Sequence, residues 1–250
     1  MMLQASWFRL QCFANWSHWE RTALTLGLAA LFLVGYFGVG LNTDPARALD
    51  LSSSLDERIP FVAETVWVYI WIFPAALIPL FTVRSRQLFR RLSFAYASVI
   101  ILSLICFMLW PVTSNGLRVD VAALDPGRFS DWGVKLLYSI DPPYNLFPSL
   151  HLSIATLAAC SAGKARRFYG VITFVGVGMV LVSISTVKQH FVLDGLAGLV
   201  LALIIYMIIL RPYRRPADGS AAYSWRGPAA FLVLQVLVYV GLFIVFVQCS

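Results

Sequence analysis

Charge is scarce in this chain. Only 12% of its 250 residues are Asp, Glu, Lys or Arg, about half the share of an ordinary soluble domain. A water-soluble fold of this size cannot hide a composition that is 60% hydrophobic, so the bilayer has to act as its solvent. Cysteine is scarce as well. Cys12, Cys106, Cys160 and Cys249 have neither the spacing of a disulfide framework nor that of a metal knuckle, and they read as packing residues. No internal repeat of the inverted-transporter kind is visible. The first stretch has no small-residue cleavage pattern, so its apolar run reads as an uncleaved anchor. Acids are outnumbered, 12 against 19 basic residues. The basic excess is spread over loops in the manner of a membrane protein rather than gathered into a patch, which excludes nucleic acid as a partner.

Long apolar runs are what the sequence does have, with a mean hydropathy of +0.78. A helix needs roughly 20 apolar residues to cross the hydrocarbon core. Seven runs qualify: Thr22–Leu41, Thr65–Val83, Ser93–Thr113, Phe147–Ala162, Phe168–Val187, Phe191–Leu210 and Pro228–Val247. Pro74 and Pro79 fall inside the second and predict a kink. The expected fold is an all-α, polytopic membrane helix bundle forming one integral domain. A six-helix core spans about 22–210, with a chemically active half at about 93–210. A cytoplasmic linker at 211–227 leads to an extra C-terminal span at 228–247. Between the third and fourth runs, Leu117–Leu124 and Trp132–Ile140 predict short helices on the membrane surface. Trp67, Trp71, Trp110 and Trp225 sit near run ends, where indole rings favour the interface.

Thirteen of the 19 Lys and Arg residues fall on segments sharing the N-terminal side of the membrane, and six fall on the other. The positive-inside rule therefore predicts a cytoplasmic N-terminus.

Three histidines are present, and two converge. His151 closes the segment Asn145-Leu146-Phe147-Pro148-Ser149-Leu150-His151, which opens the fourth run. His190 lies in Lys188-Gln189-His190-Phe191-Val192-Leu193-Asp194, which joins the fifth and sixth. The predicted topology puts both on the extracytoplasmic face. His18 falls near the N-terminus on the other side. His190 and Asp194 are four apart, hence on one face of a helix. A carboxylate on one imidazole nitrogen fixes the tautomer and makes the other nitrogen the better nucleophile or base. An acid at the edge of an apolar span also needs a partner. The same spacing suits a purely structural polar tie between helices. Asp194, Gly198 and Ala202 recur every four residues, which lets a neighbouring helix approach that face closely.

Pro148-Ser149-x-His151 and His190-x3-Asp194 together resemble the type 2 phosphatidic acid phosphatase superfamily of membrane lipid phosphatases and phosphotransferases. The resemblance covers roughly Ser93 to Leu210. The wording F-P-S-L-H followed by H-F-V-L-D is most similar to the inositol phosphorylceramide synthase-like branch. The resemblance implies an enzyme that needs no cofactor or metal and acts on a lipid phosphate or phospholipid at the outer membrane face, with water or a small alcohol as acceptor. It implies that His190 attacks phosphorus, Asp194 orients it, His151 serves as acid and then base, and Ser149 helps hold the phosphate. Two departures stand out. Ile184 occupies the position of the family's arginine, with Lys188 the nearest basic residue. The family's earlier K-x6-R-P motif has no match, and Arg118 stands in that region, with Arg128 and Lys135 as alternatives. Two other readings fit the same residues. One is a metalloenzyme with a His-His-carboxylate facial triad. The other is a non-enzymatic lipid transporter or assembly protein with a polar pathway.

Overall fold

A computed structural model describes residues 2–214 and 225–249, with side chains from Trp19 onward. Ten α-helices follow one another among the described residues: α1 Met2–Asn42, α2 Ser54–Arg58, α3 Val66–Ala75, α4 Ile78–Thr82, α5 Arg86–Leu109, α6 Phe129–Ile140, α7 Leu150–Ala165, α8 Arg167–Thr186, α9 Val192–Ile205 and α10 Arg226–Cys249. No strand is present among the described residues. His18, Cys12, Cys249 and most of the 211–227 linker lie outside the residues whose side chains are described.

Among the described residues, five helical stretches are long and apolar enough to cross a membrane: Trp19–Asn42, Arg86–Leu109, Arg167–Thr186, Val192–Leu210 and Arg226–Gln248. The all-helical membrane bundle expected from the sequence is therefore observed. The other two predicted runs are shorter helices. The second breaks into α3 and α4 around Pro74 and Pro79, where a proline cannot supply the helical N–H. The Tyr96 hydroxyl donates to the carbonyl of Ala76 inside the break, at 3.3 Å. The fourth becomes α7, whose first turn is capped by Ser149 accepting from Leu152 N. α5 starts seven residues before the predicted run because Ser85 caps it through Leu88 N.

α7 is the central helix. Twelve of its sixteen residues are buried, and it packs against α8, α9, α5 and α4. Its alanines and serines suit that position, because small side chains let helices approach without lipid contact. Two apolar clusters flank it. One joins α1, α5, α7 and α9 around Tyr36, Leu92, Val99 and Leu157. The other joins α3, α6, α7 and α8 around Val66, Tyr69, Leu137 and Ile184. α10 packs on α4 and α6, and its Tyr239 donates to Trp67 O at 2.6 Å.

The segment before α7 holds a single 3-10 turn at Val121–Ala123 and the amphipathic α6, close to the two predicted surface helices. Trp110 and Trp225 are exposed, as membrane anchors should be. Trp67 instead stacks on Phe129 at 3.9 Å between centroids, and Trp71 lies against Gly176. Backbone bridges join Leu49 to Val112 and Val112 to Asn145.

Candidate active site

Three local features bring the two histidine segments together. After α8, Lys188 takes a left-handed backbone, φ 58°. That turn lets the N–H groups of Gln189 and His190 both reach Ile184 O, at 3.1 and 3.0 Å, the kind of helix ending that a positive φ permits. It turns His190 back over the bundle. Asp194 then caps α9, accepting from Phe191 N at 3.0 Å. Finally, Ser149 N donates to Asp194 O at 2.9 Å, fastening the start of α7 to the first turn of α9.

The result is a row of four groups. Asp194 Oδ2 lies 3.5 Å from His190 Nδ1. His190 Nε2 lies 3.3 Å from His151 Nδ1. His151 Nε2 lies 4.0 Å from Asp141 Oδ2. Each imidazole thus stands between the other and its own carboxylate. None of the four is more than 6% exposed. His151 Nε2, His190 Nδ1 and Asp194 Oδ1 have no hydrogen-bond partner. Buried polar groups left unpaired are uncommon and gather at functional sites.

Asp141 is the residue sequence reasoning missed. Its two carboxylate oxygens accept from the Tyr36 hydroxyl of α1 at 2.5 Å and the Tyr69 hydroxyl of α3 at 2.6 Å. Tyr69 is also 3.3 Å from His151 Nδ1. Next to Pro142-Pro143, Asp141 reads in sequence as the end of a surface helix, which it also is. One signal was available: an acid just before an apolar span requires a partner.

The predicted phosphate ligands differ in placement. Ser149 is fully buried beside the pair, its hydroxyl oxygen accepting from Leu152 N at 3.4 Å. Arg118 bridges the His190 segment and the end of α6. Its guanidinium donates to Gln189 Oε1 at 2.9 Å, Tyr138 O at 3.2 Å and Asp141 O at 2.6 Å. Burial draws that guanidinium below its usual pKa, with the Asp141 charge pulling the other way. The adjacent Tyr138 hydroxyl donates to Val187 O at 2.7 Å, and burial pushes its phenol up to about 12. Lys188 is engaged elsewhere. Its ammonium donates to Asp56 O at 2.8 Å and Ile59 O at 2.6 Å. Arg128 pairs with Glu64 at 2.5 Å, and Lys135 donates to Leu124 O at 3.0 Å. Among the described residues, no three His, Cys, Asp or Glu side chains are arranged to hold a metal ion.

Helices of membrane-crossing length around a buried pair of histidines, each with a carboxylate, define a polytopic membrane protein equipped for acid–base and nucleophilic chemistry. Residues 48–208 match the PAP2 superfamily, and the chain belongs to it. Membership supports a membrane enzyme of the phosphatase and phosphotransferase type. No curated protein and no solved structure matches the chain.

Proposed function

We propose that this protein transfers the phosphoryl group of a lipid phosphate, or a phospholipid headgroup, through a phosphohistidine on the extracytoplasmic face. The observation that carries the reading is the row Asp194–His190–His151–Asp141. With Nδ1–H directed at Asp194, His190 keeps its Nε2 lone pair for attack on phosphorus. The N–P bond forms as the bond from phosphorus to the lipid oxygen breaks. His151 gives its proton to that oxygen, releasing the lipid alcohol. It then accepts a proton from the incoming acceptor, whose oxygen displaces His190. Asp141 is a positioning residue that holds the His151 ring from behind, steadied by its two phenol donors.

In-line attack puts phosphorus about 3–3.5 Å from the nucleophile, with the leaving oxygen a further hydrogen bond, roughly 2.6–3.2 Å, from the acid. The 3.3 Å contact between the histidines therefore opens when substrate enters. The equatorial oxygens need donors. A guanidinium has five N–H groups, three of which Arg118 uses on Gln189, Tyr138 and Asp141, which leaves two to turn to phosphate. The Ser149 hydroxyl keeps its own proton to donate. Lys188 serves the turn that carries His190 and only indirectly the phosphate.

Water or a small alcohol can resolve the same intermediate. The F-P-S-L-H and H-F-V-L-D wording, similar to the inositol phosphorylceramide synthase-like branch, favours transfer to an alcohol. The test is an acid-labile, base-stable phosphoenzyme. Purified protein in vesicles, given radiolabelled lipid phosphate and quenched in alkali, is expected to retain label on His190. His190→Ala is expected to retain none and to turn over no substrate. Full activity in His190→Ala, or label on another residue, overturns the reading.

A further inference from the structure

An apolar cavity of about 280 Å³ lies between α1, the α3–α4 break, α5 and α7. Its α5 wall runs from Phe89 to Ile100, about 16 Å at 1.5 Å per residue, or roughly half of the hydrocarbon core. The break between α3 and α4 creates it, because Ala76 and Leu77 both line the cavity there. Small residues on three walls, Ala29, Ala76 and Ser93, leave the space open. Leu33 and Leu77 are exposed at its lipid-facing side. At one end it reaches the imidazole of His151, and neither His190 nor Asp194 lines it.

We propose that this slot holds a hydrocarbon chain of the substrate's leaving group, and that Ala29, Ala76 and Ser93 set the chain length it accepts. The proposal rests on the roles given above to His151 and His190. A chain that ends at His151 belongs to the oxygen that His151 protonates. The lipid is then the donor whose alcohol departs, and the acceptor takes the place that alcohol vacates, in line opposite His190, where His151 can deprotonate it. A bystander membrane lipid would keep its headgroup at the interface and has no reason to end at a buried imidazole. The prolines that interrupt the second run thereby acquire a purpose: a straight helix would place side chains across the slot.

Two measurements test this, one of them independent of turnover. A phosphatidic acid bearing a mid-chain diazirine is photolysed with the protein in phosphatidylcholine vesicles. Label is expected on the α1 and α5 walls, displaced by unlabelled phosphatidic acid and more weakly by diacylglycerol, the alcohol that departs. Label spread over α8 and α10, or not displaced, makes the slot an annular-lipid groove and overturns the proposal. The second measurement is kcat/KM over lipid phosphates of rising chain length. Ala29→Leu is expected to lower it about tenfold for long chains, the effect of excluding roughly two methylene groups, and to leave an aryl phosphate unchanged. Ser93→Leu is expected to act likewise. Ala30→Leu, the same bulk on the neighbouring exposed position, is expected to do nothing. A chain-length profile identical in all three variants overturns the proposal. Retained activity in His190→Ala would overturn the mechanism instead, and leave the photolabelling to decide the slot.

Discussion

At the scale of single residues, the two histidines are distinguished by the bond each substitution affects. On the proposed mechanism, His151→Ala removes the proton donor to the leaving oxygen. Loss of a general acid costs about 100- to 10,000-fold, and the defect is expected to shrink for an aryl phosphate, whose leaving group departs unaided. Asp141→Asn keeps the shape but loses the charge behind His151. It is expected to show the same dependence on leaving group at smaller size, with little added loss in the His151→Ala background, since residues acting through one another are not additive. A linear free-energy plot across phenyl and alkyl phosphates reads both. Equal slopes in wild type and Asp141→Asn would reduce Asp141 to packing. His190 and Asp194 are legible in sequence because their spacing is local, and His151, 39 positions before His190, because counting the apolar runs puts it on the same membrane face. Asp141 is not, because its phenol donors lie 105 and 72 positions away and only the fold brings them near. Lys188 misleads for a related reason. Its place beside His190 suggests phosphate binding, yet its left-handed backbone sends the side chain to the 56–59 segment.

Among elements, the contact between α7 and α9 decides how far apart the histidines stand. The four-residue pattern of Asp194, Gly198 and Ala202 anticipates it. A Cβ on Gly198 would meet Ser149 O at 2.3 Å, and the Ser153 hydroxyl bonds Gly198 O at 2.8 Å. Gly198→Ala is therefore expected to cost about 1–3 kcal/mol through overpacking and to move Ser149 away from Asp194, with activity falling too. Gly178→Ala on α8, where a Cβ meets nothing within 4 Å, should raise stability by roughly 0.5–1 kcal/mol on helix propensity alone. Thermal unfolding in detergent compares the two, and a harmless Gly198→Ala would show that the helices have room to spare. The long spans are legible because lipid contact demands apolar length. The second and fourth are less so. Hydropathy cannot tell a broken or central helix from a lipid-facing one, since both are apolar while only one is shielded by protein.

For the whole molecule, the basic asymmetry predicts an orientation that labelling can check. A cysteine at Ala122, in the exposed turn before α6, is expected to react with a membrane-impermeant maleimide from outside intact cells. One at Gln87, beside the basic start of α5, is expected to react only after permeabilisation. The reverse pattern would turn the histidine face to the cytoplasm. Glu20 ties the same basic end together, pairing with Arg86 at 2.6 Å and with Arg90, so α1 and α5 are joined there.

The other end of that pair bears on how much chain the chemistry requires. Tyr36 sits on α1, outside the matched segment 48–208, yet it supplies one of the two phenols on the Asp141 carboxylate. A fragment trimmed to the recognisable segment would keep both histidines and both acids while leaving one Asp141 oxygen without its donor. The working unit is thus wider than the recognisable one. A Tyr36→Phe change would be invisible to any comparison confined to the matched region, and would still weaken the support behind His151.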